Sequence, residues 1–301
     1  MDIEVKHNFN AKNLTSFKVS GNIKNAYFPK SIDELLYLLK KLENPVVLGN
    51  CSNVLISSYG YNGDVIFTHK CNKITFDKNK VYAQCGAKIQ MASKLACEHS
   101  LSGFEFMIGF PASIGGAVFM NASAHSQAIS DCFLSADIFD LDKKEVLKLT
   151  KNEMQFDYRK SVCQNKNYVV LSAEFELVED EKSKIQERMN NNLEFRKSHQ
   201  PSLALPNCGS VFKNPINNSA GKLLDESGAK TFFVGGAKVW ENHANFIINH
   251  NNATSEDILN LMILLYNKVK LTHHIELKPE VMYIGNNSSK EEKIWKILVQ
   301  K

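Results

Sequence analysis

The sequence predicts an α+β protein of roughly two domains, and three observations support this fold class. The 301-residue chain is 44% hydrophobic and 23% charged, the composition of an ordinary globular protein. At about 150 residues per domain, this length suggests two domains that each bury a core. Short strand-like runs and amphipathic helical runs occur in both halves of the chain, without any repeat or low-complexity tract.

The N-terminal region predicts a helix followed by short strands. Ser31 and Glu34 form a capping box before a leucine-rich run, which predicts a helix from about Ser31 to Glu43. A polar turn, Gly49–Asn53, joins two strand-like runs into a strand, a tight loop and a strand. The predicted strands are Val46–Leu48, Val54–Ile56, Asp64–Thr68, Lys73–Phe76 and Lys80–Gln84, and a second helix is expected over Lys88–Ser100.

The rest of the chain alternates strands and helices. Strand-like patches over residues 131–177 lead to a charged helix at Glu181–Lys197, which we interpret as a domain boundary. The last third predicts a helix at Ala220–Ser227 closed by Gly228, a strand at Ala244–Asn249, a helix at Thr254–Lys270 and an extended segment at Ile275–Ile284.

Charge and hydropathy argue against several classes of protein. Lys plus Arg is 36 and Asp plus Glu is 32, so the formal net charge of +4 is too small to indicate a nucleic-acid partner. The longest apolar run, Leu261–Tyr266, has six residues, far below the ~20 that span a bilayer. Met1–Val19 is polar and resembles no signal peptide, so we expect neither a membrane segment nor secretion by that route.

The cysteines and histidines do not predict a metal site or a redox pair. The seven cysteines include no CxxC pair. The adjacent histidines His273 and His274 lack a carboxylate at the spacing of a metal site. We therefore expect no bound metal.

Arginine is rare in this chain, and its few positions are candidates for specific recognition. There are 33 lysines and three arginines, Arg159, Arg188 and Arg196. A guanidinium group binds a carboxylate or phosphate through two parallel hydrogen bonds, which an ammonium group does not reproduce. Arg188 lies in the charged helical run and is interpreted as part of a solvated face. Arg159 lies in a segment without helical periodicity and is a candidate site residue.

A stretch rich in small residues, Gly109–Asn121, contains Gly109, Gly115 and Gly116. Backbone N–H groups exposed at a helix start bind phosphate or pyrophosphate. A helix packed closely on a neighbour also needs glycine and alanine, so the residues alone leave both interpretations open. Asn50–Asn53 is likewise a second phosphate loop or a simple turn. Neither stretch is a GxGxxG or a GxxxxGK[ST] motif, so two such loops favour a dinucleotide bound by neither standard motif.

At these loops the chain resembles the UDP-N-acetylenolpyruvoylglucosamine reductase family, flavin enzymes of peptidoglycan precursor synthesis. The resemblance covers nearly the whole chain, and its strength lies in blocks that follow the family's order. The blocks are Gly49–Leu55, Gly109–Ala122, Tyr158-Arg159, Gly209–Pro215, Gly235–Ala237, His243–Ile247 and Glu280-Val281. The chain length is similar to that of the shorter of the family's two types.

The resemblance implies a fold, a cofactor and a reaction. The fold is an FAD-binding region of the vanillyl-alcohol-oxidase (PCMH) type over residues 1–190, with subdomains at about 1–70 and 71–190. Residues 191–301 would form an α+β substrate domain whose last strand and helix return to the first subdomain. NADPH would reduce FAD, which reduces the UDP-sugar enolpyruvyl ether to UDP-N-acetylmuramate. We expect a monomer in the bacterial cytoplasm that binds neither nucleic acid nor membrane.

The resemblance also assigns roles to residues, and their chemistry agrees with the reaction. Hydride addition to the enolpyruvyl group leaves negative charge spread into its carboxylate. Arg159 would bind that carboxylate, Glu280 would polarise it, and Ser210 would donate a proton to the α-carbon. The implied cofactor-binding residues are Gly49, Asn50, Cys51, Ser52, Asn53, Val54, Gly109, Pro111, Ser113, Ile114, Gly115, Gly116 and Asn121. The implied substrate-binding residues are Tyr158, Lys213, Asn214 and His243.

Several positions depart from the family pattern. The family usually has glycine at the positions of Cys51 and Ala112, and often in the loop that holds Ser123 and Ser126. A positive φ at any of these positions would be strained by a Cβ atom. Because the substitutes are small, we expect the flavin loops to be adjusted and not lost. In addition, Met282 stands where the family commonly has arginine, and this change is expected to loosen the orientation of Glu280. His125 stands where the family frequently has tyrosine.

Two other functions share some of these sequence features. Another oxidoreductase on the same flavin scaffold would share the N-terminal loops, but it has no reason to carry Ser210, Asn214 and Glu280 in this order. A degenerate flavoprotein with a binding or interaction role is favoured slightly by the departures from glycine. Retention of all three catalytic residue types argues against it.

Overall fold

The computed structural model describes residues 2–286 and 290–299 of the chain, which form an α+β fold. The helices are α1 (Ile32–Lys41), α2 (Ile89–Glu98), α3 (Ile114–Met120), α4 (Ile129–Cys132), α5 (Lys182–His199), α6 (Ala220–Glu226), α7 (Ser255–His273) and α8 (Lys290–Val299). The strands are β1 (Glu4–Asn10), β2 (Asn22–Phe28), β3 (Val46–Leu48), β4 (Val54–Ile56), β5 (Tyr61–Phe67), β6 (Ile74–Asp77), β7 (Lys80–Gln84), β8 (Leu101–Ser102), β9 (Ser123–Ala124), β10 (Gln127–Ala128), β11 (Phe133–Asp140), β12 (Glu145–Thr150), β13 (Tyr168–Glu176), β14 (Val178–Glu179), β15 (Asn207–Ser210), β16 (Phe233–Val234), β17 (Ala237–Val239), β18 (Phe246–Asn249) and β19 (Met282–Ile284).

Local capping chemistry fixes the starts of two helices. Ser31 Oγ accepts from the N–H of Glu34 at 3.2 Å and so caps α1 as predicted. The Glu34 carboxylate accepts from the N–H of Lys30 at 2.7 Å, so the cap extends one residue further upstream than the standard box. At α7, Thr254 and Asp257 exchange both hydrogen bonds of a capping box, at 2.9 and 3.1 Å.

The chain divides into two compact units that are discontinuous in sequence. The first unit contains residues 1–6, 26–50 and 64–196, and the second contains residues 7–25, 51–63 and 197–301. The loop Gly49–Val54 is therefore divided between Asn50 and Cys51. The assignment of residues 191–301 to substrate binding stays a prediction.

The first unit is built on an antiparallel sheet with the strand order β12-β11-β13-β7-β6. Strands β6 and β7 form a hairpin, in which Asp77 pairs with Lys80. Helix α3 packs on β13, and a buried core that includes Phe104, Phe175 and Val118 lies between the helices and the sheet. Strand β3 pairs in parallel with β5, so its carboxyl end delivers Gly49 to the predicted cofactor loop.

The second unit contains an antiparallel sheet with the order β15-β18-β17-β16 and a parallel pair of β4 with β19. Helix α7 packs against α6 and α8. Its buried residues, among them Leu261 and Leu265, join Phe212 and Phe17 in one core. This core also includes Val211 and Val281, the residues that follow Ser210 and Glu280 in the chain.

Several predicted boundaries are wrong, for reasons of packing. Helix α1 ends at Lys41, because Leu42 is already extended, and α7 continues beyond Lys270 to His273. The strands around Gly49–Asn53 do not pair with each other, because β3 pairs with β5 and β4 pairs with β19. Pairing between distant segments decided this arrangement, and local residue patterns do not contain that information.

Candidate active site

Two predicted catalytic residues, Ser210 and Glu280, lie on neighbouring backbone segments of the second unit. The N–H of Glu280 donates to the carbonyl of Val211 at 2.8 Å. An antiparallel bridge between Phe212 and Pro279 continues this pairing. The residue after Ser210 is therefore hydrogen-bonded directly to Glu280, which brings the two predicted residues into one region.

A bulge in β15 sets the direction of Ser210. Asn207 pairs with Ile248 and Ser210 pairs with Phe246, so β15 has one more residue than its partner between these pairs. Gly209 supplies the extra residue in the left-handed region, with φ at +82°. Ser210 is half-buried, and its hydroxyl makes no hydrogen bond within residues 2–286 and 290–299. It is thus available to donate to a ligand.

Glu280 is held from its other side by the predicted cofactor loop. The side-chain amide of Asn53 donates to the carbonyl of Glu280 at 3.0 Å. The N–H of Met282 donates to the carbonyl of Asn53, also at 3.0 Å. The Met282 side chain is 44% exposed, so the departure from arginine leaves this backbone link in place. Burial, and to a smaller extent the negative charge of Glu280, raises the pKa of the Cys208 thiol, which shows that the carboxylate lies near this buried group.

Cys51 adopts the strained backbone that its departure from glycine predicts. Its φ is +50°, a region that side-chain-bearing residues enter at a cost of ~1 kcal/mol or more. The side chain is only 5% exposed, and burial raises the pKa of the thiol to about 12. By contrast, Ala112 and Ser123 do not have positive φ, whereas Ser126 does, at +61°. The strain is therefore confined to part of the predicted set.

The third predicted catalytic residue, Arg159, lies in the first unit beside Tyr158. Its guanidinium group donates from Nη1 to Ser123 Oγ at 2.6 Å. The guanidinium carbon also lies 5.2 Å from the centre of the Tyr158 ring, within the range of a cation–π contact. Tyr158 is 47% exposed and Arg159 is half-buried. These contacts orient the charged fork of Arg159 while one side of the pair faces solvent.

The turn that carries Arg159 is anchored to the end of α3. Asn121 Nδ2 donates to the carbonyl of Asp157 at 3.0 Å, and Asn121 Oδ1 accepts from Ser130 N–H at 3.0 Å. Gln164 Nε2 donates to the carbonyl of Arg159 at 2.9 Å. Both polar atoms of the Asn121 side-chain amide thus form hydrogen bonds within the first unit. The cofactor contact that we expected of it stays a prediction.

The start of α3 does not expose the N–H groups that we expected a phosphate to bind. The N–H of Ile114 donates to the carbonyl of Ala87, and that of Gly115 to the carbonyl of Cys85, each at 2.8 Å. The N–H of Gly116 faces Ser113 Oγ at 3.4 Å. A Cβ atom on Gly115 would lie 2.9 Å from that of Cys85, so close packing explains this glycine. Of the two interpretations left open for this stretch, these bonds favour close packing at Ile114 and Gly115, and a cofactor contact by these residues stays a prediction.

The two predicted cofactor loops nevertheless meet within the first unit. A Cβ atom on Gly49 would lie 1.9 Å from Ser113 Oγ, so only glycine allows this approach. Gly109 has room for a side chain, since the nearest atom to its added Cβ is 3.6 Å away, in Arg196. Ser113 is buried and Pro111 is half-buried. The structure thus brings Gly49 and Ser113 together, as one cofactor site requires.

The predicted substrate-binding residues of the second unit also have structural partners. Asn214 Oδ1 accepts from the N–H of Ala220 and so supports the start of α6. His243 Nδ1 accepts from the N–H of Asn245 at 3.2 Å. Burial lowers the pKa of His243, so near neutral pH the ring is uncharged and its proton is on Nε2. Lys213 follows Phe212 and is half-buried. Substrate contact by these residues stays a prediction.

The donor set of the first loop fits FAD. No hydrogen bond found among residues 2–286 and 290–299 uses the N–H of Ser52 or Asn53. Gly116 is exposed, and an added Cβ atom there would meet only Ser113 Oγ, at 3.4 Å. Unpaired amides and small side chains suit the polar edge of a flavin and its diphosphate. The free N–H groups of Ser52 and Asn53 are compatible with cofactor binding, as are the small residues Ser113 and Gly116 in the first unit, and these assignments stay predictions.

The sequence analysis missed Asn245 as a residue of the site. Its side chain is 2% exposed and bonds both backbone groups of Phe212, at 2.9 and 3.0 Å. The available signal was a single amide inside the apolar run Ala244–Ile248. A buried amide must find hydrogen-bond partners, so such a position marks a structural or functional contact.

Arg188 was interpreted as part of a solvated face, and its side chain is 42% exposed, but it also forms specific ion pairs. It donates to Glu105 at 2.9 Å and to Asp180 at 2.6 Å. Glu105 is 4% exposed, so a buried carboxylate required an arginine partner.

Within the described part of the chain, no group of three or more His, Cys, Asp or Glu residues could hold a metal ion. No described helix is long and apolar enough to cross a membrane.

Comparison with known families gives two matches along the chain. An FAD binding domain model matches residues 24–150, and a model of the UDP-N-acetylenolpyruvoylglucosamine reductase C-terminal domain matches residues 200–284. The second match contains Ser210, Asn245 and Glu280. The first contains Gly49–Val54 and the whole of Gly109–Asn121.

Relatives of known sequence and structure agree with these matches. The chain is 40% identical over 280 residues to the UDP-N-acetylenolpyruvoylglucosamine reductase of Caldicellulosiruptor bescii, covering 91% of this chain and 88% of that protein. It is 42% identical to the enzyme of that name from Clostridium beijerinckii, covering 90% of each chain.

A solved structure completes the comparison. The crystal structure of UDP-N-acetylenolpyruvylglucosamine reductase from Thermus caldophilus superposes with a TM-score of 0.79 at 29% identity, covering 94% of this chain and 99% of that one. These matches confirm the predicted fold class, an α+β FAD-binding region of the vanillyl-alcohol-oxidase type with a second α+β region. The chain therefore belongs to the UDP-N-acetylenolpyruvoylglucosamine reductase family.

Proposed function

We propose that this chain performs its family's reaction with Arg159, Glu280 and Ser210 as its catalytic residues. The reaction is the NADPH-dependent reduction of UDP-N-acetylenolpyruvoylglucosamine to UDP-N-acetylmuramate, in peptidoglycan precursor synthesis. The observation that carries the assignment is the hydrogen bond between Glu280 and the residue after Ser210, at 2.8 Å. It holds the segments of the proposed proton donor and of Glu280 together, and Asn53 of the predicted cofactor loop bonds the same segment.

The chemistry of the substrate assigns a different task to each residue. FAD, when bound, accepts hydride from NADPH and supplies it to the enolpyruvyl double bond. Negative charge then develops on the α-carbon and the carboxylate of the substrate. Arg159 binds this carboxylate with its planar fork, and Glu280 polarises the same group. The fixed positive charge of Arg159 stabilises the transition state because it needs no rearrangement as the substrate becomes negative.

Ser210 completes the reaction by donating a proton to the α-carbon. A serine hydroxyl is a weak acid, but an enolate-like carbanion is a strong base and needs only a well-placed proton. The hydroxyl of Ser210 makes no hydrogen bond to the described residues, so it is free to point at the substrate. The bulge at Gly209 provides the change of direction that such a role requires.

The setting of the reaction follows from the substrates. Both are small soluble molecules, a UDP-sugar and NADPH, and we place the enzyme in the bacterial cytoplasm as a monomer. The seven cysteines are all free thiols, which is typical of a reducing compartment. Light scattering of the purified protein tests the monomer, and a mass near 33.9 kDa is expected.

The assignment of Ser210 is tested by separating the two halves of the reaction. In Ser210→Ala, flavin reduction by NADPH should be nearly intact in a stopped-flow mix. Reoxidation by saturating substrate should slow by ~10² to 10⁴, the usual contribution of a positioned acid. Ser210→Cys should recover part of the loss, because a thiol is small and donates a proton. An unchanged limiting rate of reoxidation in the alanine variant would show that Ser210 is not the acid.

A further inference from the structure

The backbone next to Ser210 is held by the buried side chain of Asn245. The Asn245 amide donates from Nδ2 to the carbonyl of Phe212 at 2.9 Å and accepts at Oδ1 from the N–H of Phe212 at 3.0 Å. Its own carbonyl accepts from the N–H of Val211 at 2.9 Å. One residue therefore bonds three backbone groups within two positions of Ser210.

Ser210 is thereby fixed on both sides. On the upstream side, Asn207 Oδ1 accepts from the N–H of Gly209 at 3.0 Å and closes the bulge. On the downstream side, Asn245 holds Phe212. A bulge inserts one unpaired residue and is free to shift unless its ends are held. The two amides remove that freedom around the one residue whose direction the reaction depends on.

We propose that Asn245 is a positioning residue that acts through Ser210, keeping its hydroxyl aimed at the α-carbon of the substrate. The inference rests on the proposed role of Ser210 as the proton donor. It adds a residue whose loss affects proton donation without any contact between Asn245 and the substrate. Displacement of a reacting group by about 1 Å lowers a rate by up to ~10²-fold.

The strand that follows Asn245, β18, offers a matched control. Asn249, in β18, also joins two backbone groups, since Nδ2 donates to the carbonyl of Phe17 at 2.9 Å and Oδ1 accepts from the N–H of Ala253 at 2.8 Å. It pairs with Ala237 in β17 and makes no described bond to the segment 209–213. A purely structural role would make Asn245 and Asn249 behave alike when substituted.

The chemistry of the amide gives a pH-dependent test. In Asn245→Asp, the new carboxylate still accepts from the N–H of Phe212, but it has no proton to donate to the carbonyl of Phe212. When protonated, the carboxyl group donates and accepts as the amide does. The limiting rate of flavin reoxidation by substrate should fall by ~10-fold or more at high pH and recover as the pH is lowered. Asn245→Ala should show the loss at every pH.

The wild-type profile must be measured at the same pH values, because other ionisable groups face this segment. His243 Nδ1 accepts from the N–H of Asn245, and Glu280 and Cys208 lie on the paired backbone. The ratio of variant to wild type removes their contribution. Hydrogen exchange at Phe212 gives a readout that does not depend on activity. Protection should fall in Asn245→Ala at every pH and stay near wild type in the aspartate variant, because its carboxylate still accepts from the N–H of Phe212.

The outcomes distinguish this proposal from the proposed function. If Asn245 acts through Ser210, adding Asn245→Ala to Ser210→Ala should slow reoxidation no further than Ser210→Ala alone. Independent, multiplying effects would overturn the inference. So would Asn245 variants that lose only stability, as Asn249→Asp is expected to do. An unchanged rate in Ser210→Ala alone would instead refute the proton donor, and the single variant reports that separately.

Discussion

The side-chain amide of Asn53 donates to the backbone carbonyl of Glu280 at 3.0 Å, although the two residues are 227 positions apart. The N–H of Met282 returns a bond to the carbonyl of Asn53 at 3.0 Å. Two hydrogen bonds therefore link Asn53, in the predicted cofactor loop, to the segment Glu280–Met282. Asn53, predicted only as a cofactor residue, also positions Glu280.

Substitution of Asn53 by alanine should affect both stability and turnover. The lost hydrogen bond should lower the free energy of unfolding by about 1 kcal/mol. Turnover should fall because Glu280 loses the contact that fixes its backbone. Urea unfolding and steady-state kinetics measure the two effects. Asn50→Ala is the control for stability, because the Asn50 amide makes no hydrogen bond to the described residues. Equal stability of Asn53→Ala and wild type would contradict the structural link.

Arg159→Lys should be a severe lesion although it preserves the positive charge. Lysine is compatible with the left-handed backbone of Arg159, since Lys78 and Lys144 adopt the same region, with φ of +53° and +58°. The change therefore removes the planar fork with little added strain. Steady-state turnover should fall well over tenfold, on the order of the ~10² lost with one charge-stabilising donor. Near-wild-type turnover would mean that Arg159 does not hold the substrate carboxylate.

Arg188→Lys is the matched control for Arg159. Arg188 also uses its fork, but on Glu105 and Asp180, within the structure of the first unit. Its loss should lower the thermal midpoint while the turnover of the folded enzyme stays near wild type. A pattern in which both variants lose only stability would assign the two arginines the same structural role.

Elements that depend on local chemistry could be predicted from the sequence. Elements that depend on pairing between distant segments could not. The caps at Ser31 and Thr254 lie within three residues of their partners, so sequence alone indicated where α1 and α7 begin. The partner of β4 is β19, more than 200 positions away, and nothing near Val54 encodes that choice. Helix ends were also placed inexactly, since α7 continues past Lys270 to His273.

The candidate site shows the same division. The resemblance supplied Ser210, Arg159 and Glu280, because their motifs are contiguous in the chain. The partners that orient them are backbone groups of remote residues, as in the bonds of Asn245 to Phe212. Backbone groups are present at every position, so no residue type marks them in advance. For the same reason the residues alone left a phosphate nest and close packing open at the start of α3, where the carbonyls of Cys85 and Ala87 accept from the N–H groups.

Flavin should be bound without a covalent link. Cys51 is the cysteine of the predicted cofactor loops. Its side chain is buried, and burial raises the pKa of the thiol to about 12. A thiol that stays protonated is a poor nucleophile toward a flavin ring. Acid denaturation should therefore release all of the flavin into the supernatant, measured by its absorbance. Recovery of a flavin-labelled peptide containing Cys51 or His125 after proteolysis would contradict this.

The network around Arg188 should make stability depend on pH. Burial alone would raise the pKa of Glu105, but hydrogen bonds from the Gly103 N–H, the Ser102 hydroxyl and Arg188 outweigh it, and the net pKa lies below the ordinary 4.5. The hydrogen bond from Arg188 lowers the pKa of Asp180 below 3.8 in the same way. Groups with depressed pKa values contribute stability above their ordinary pKa and lose it as the pH falls through the folded-state value.

Arg188→Leu should reveal this contribution. Near neutral pH the free energy of unfolding of the variant should be about 1–2 kcal/mol lower than that of wild type, because Glu105 loses its charged partner. The difference should shrink as the pH falls below about 4, where protonation of the carboxylates removes the same interaction from the wild type. Lys184→Leu is the control on the same helix, since its bond to Glu181 joins two exposed side chains. Urea unfolding from about pH 7 to about pH 3 measures both variants. A constant difference between Arg188→Leu and wild type over this range would show that Arg188 acts by packing and not by its charge.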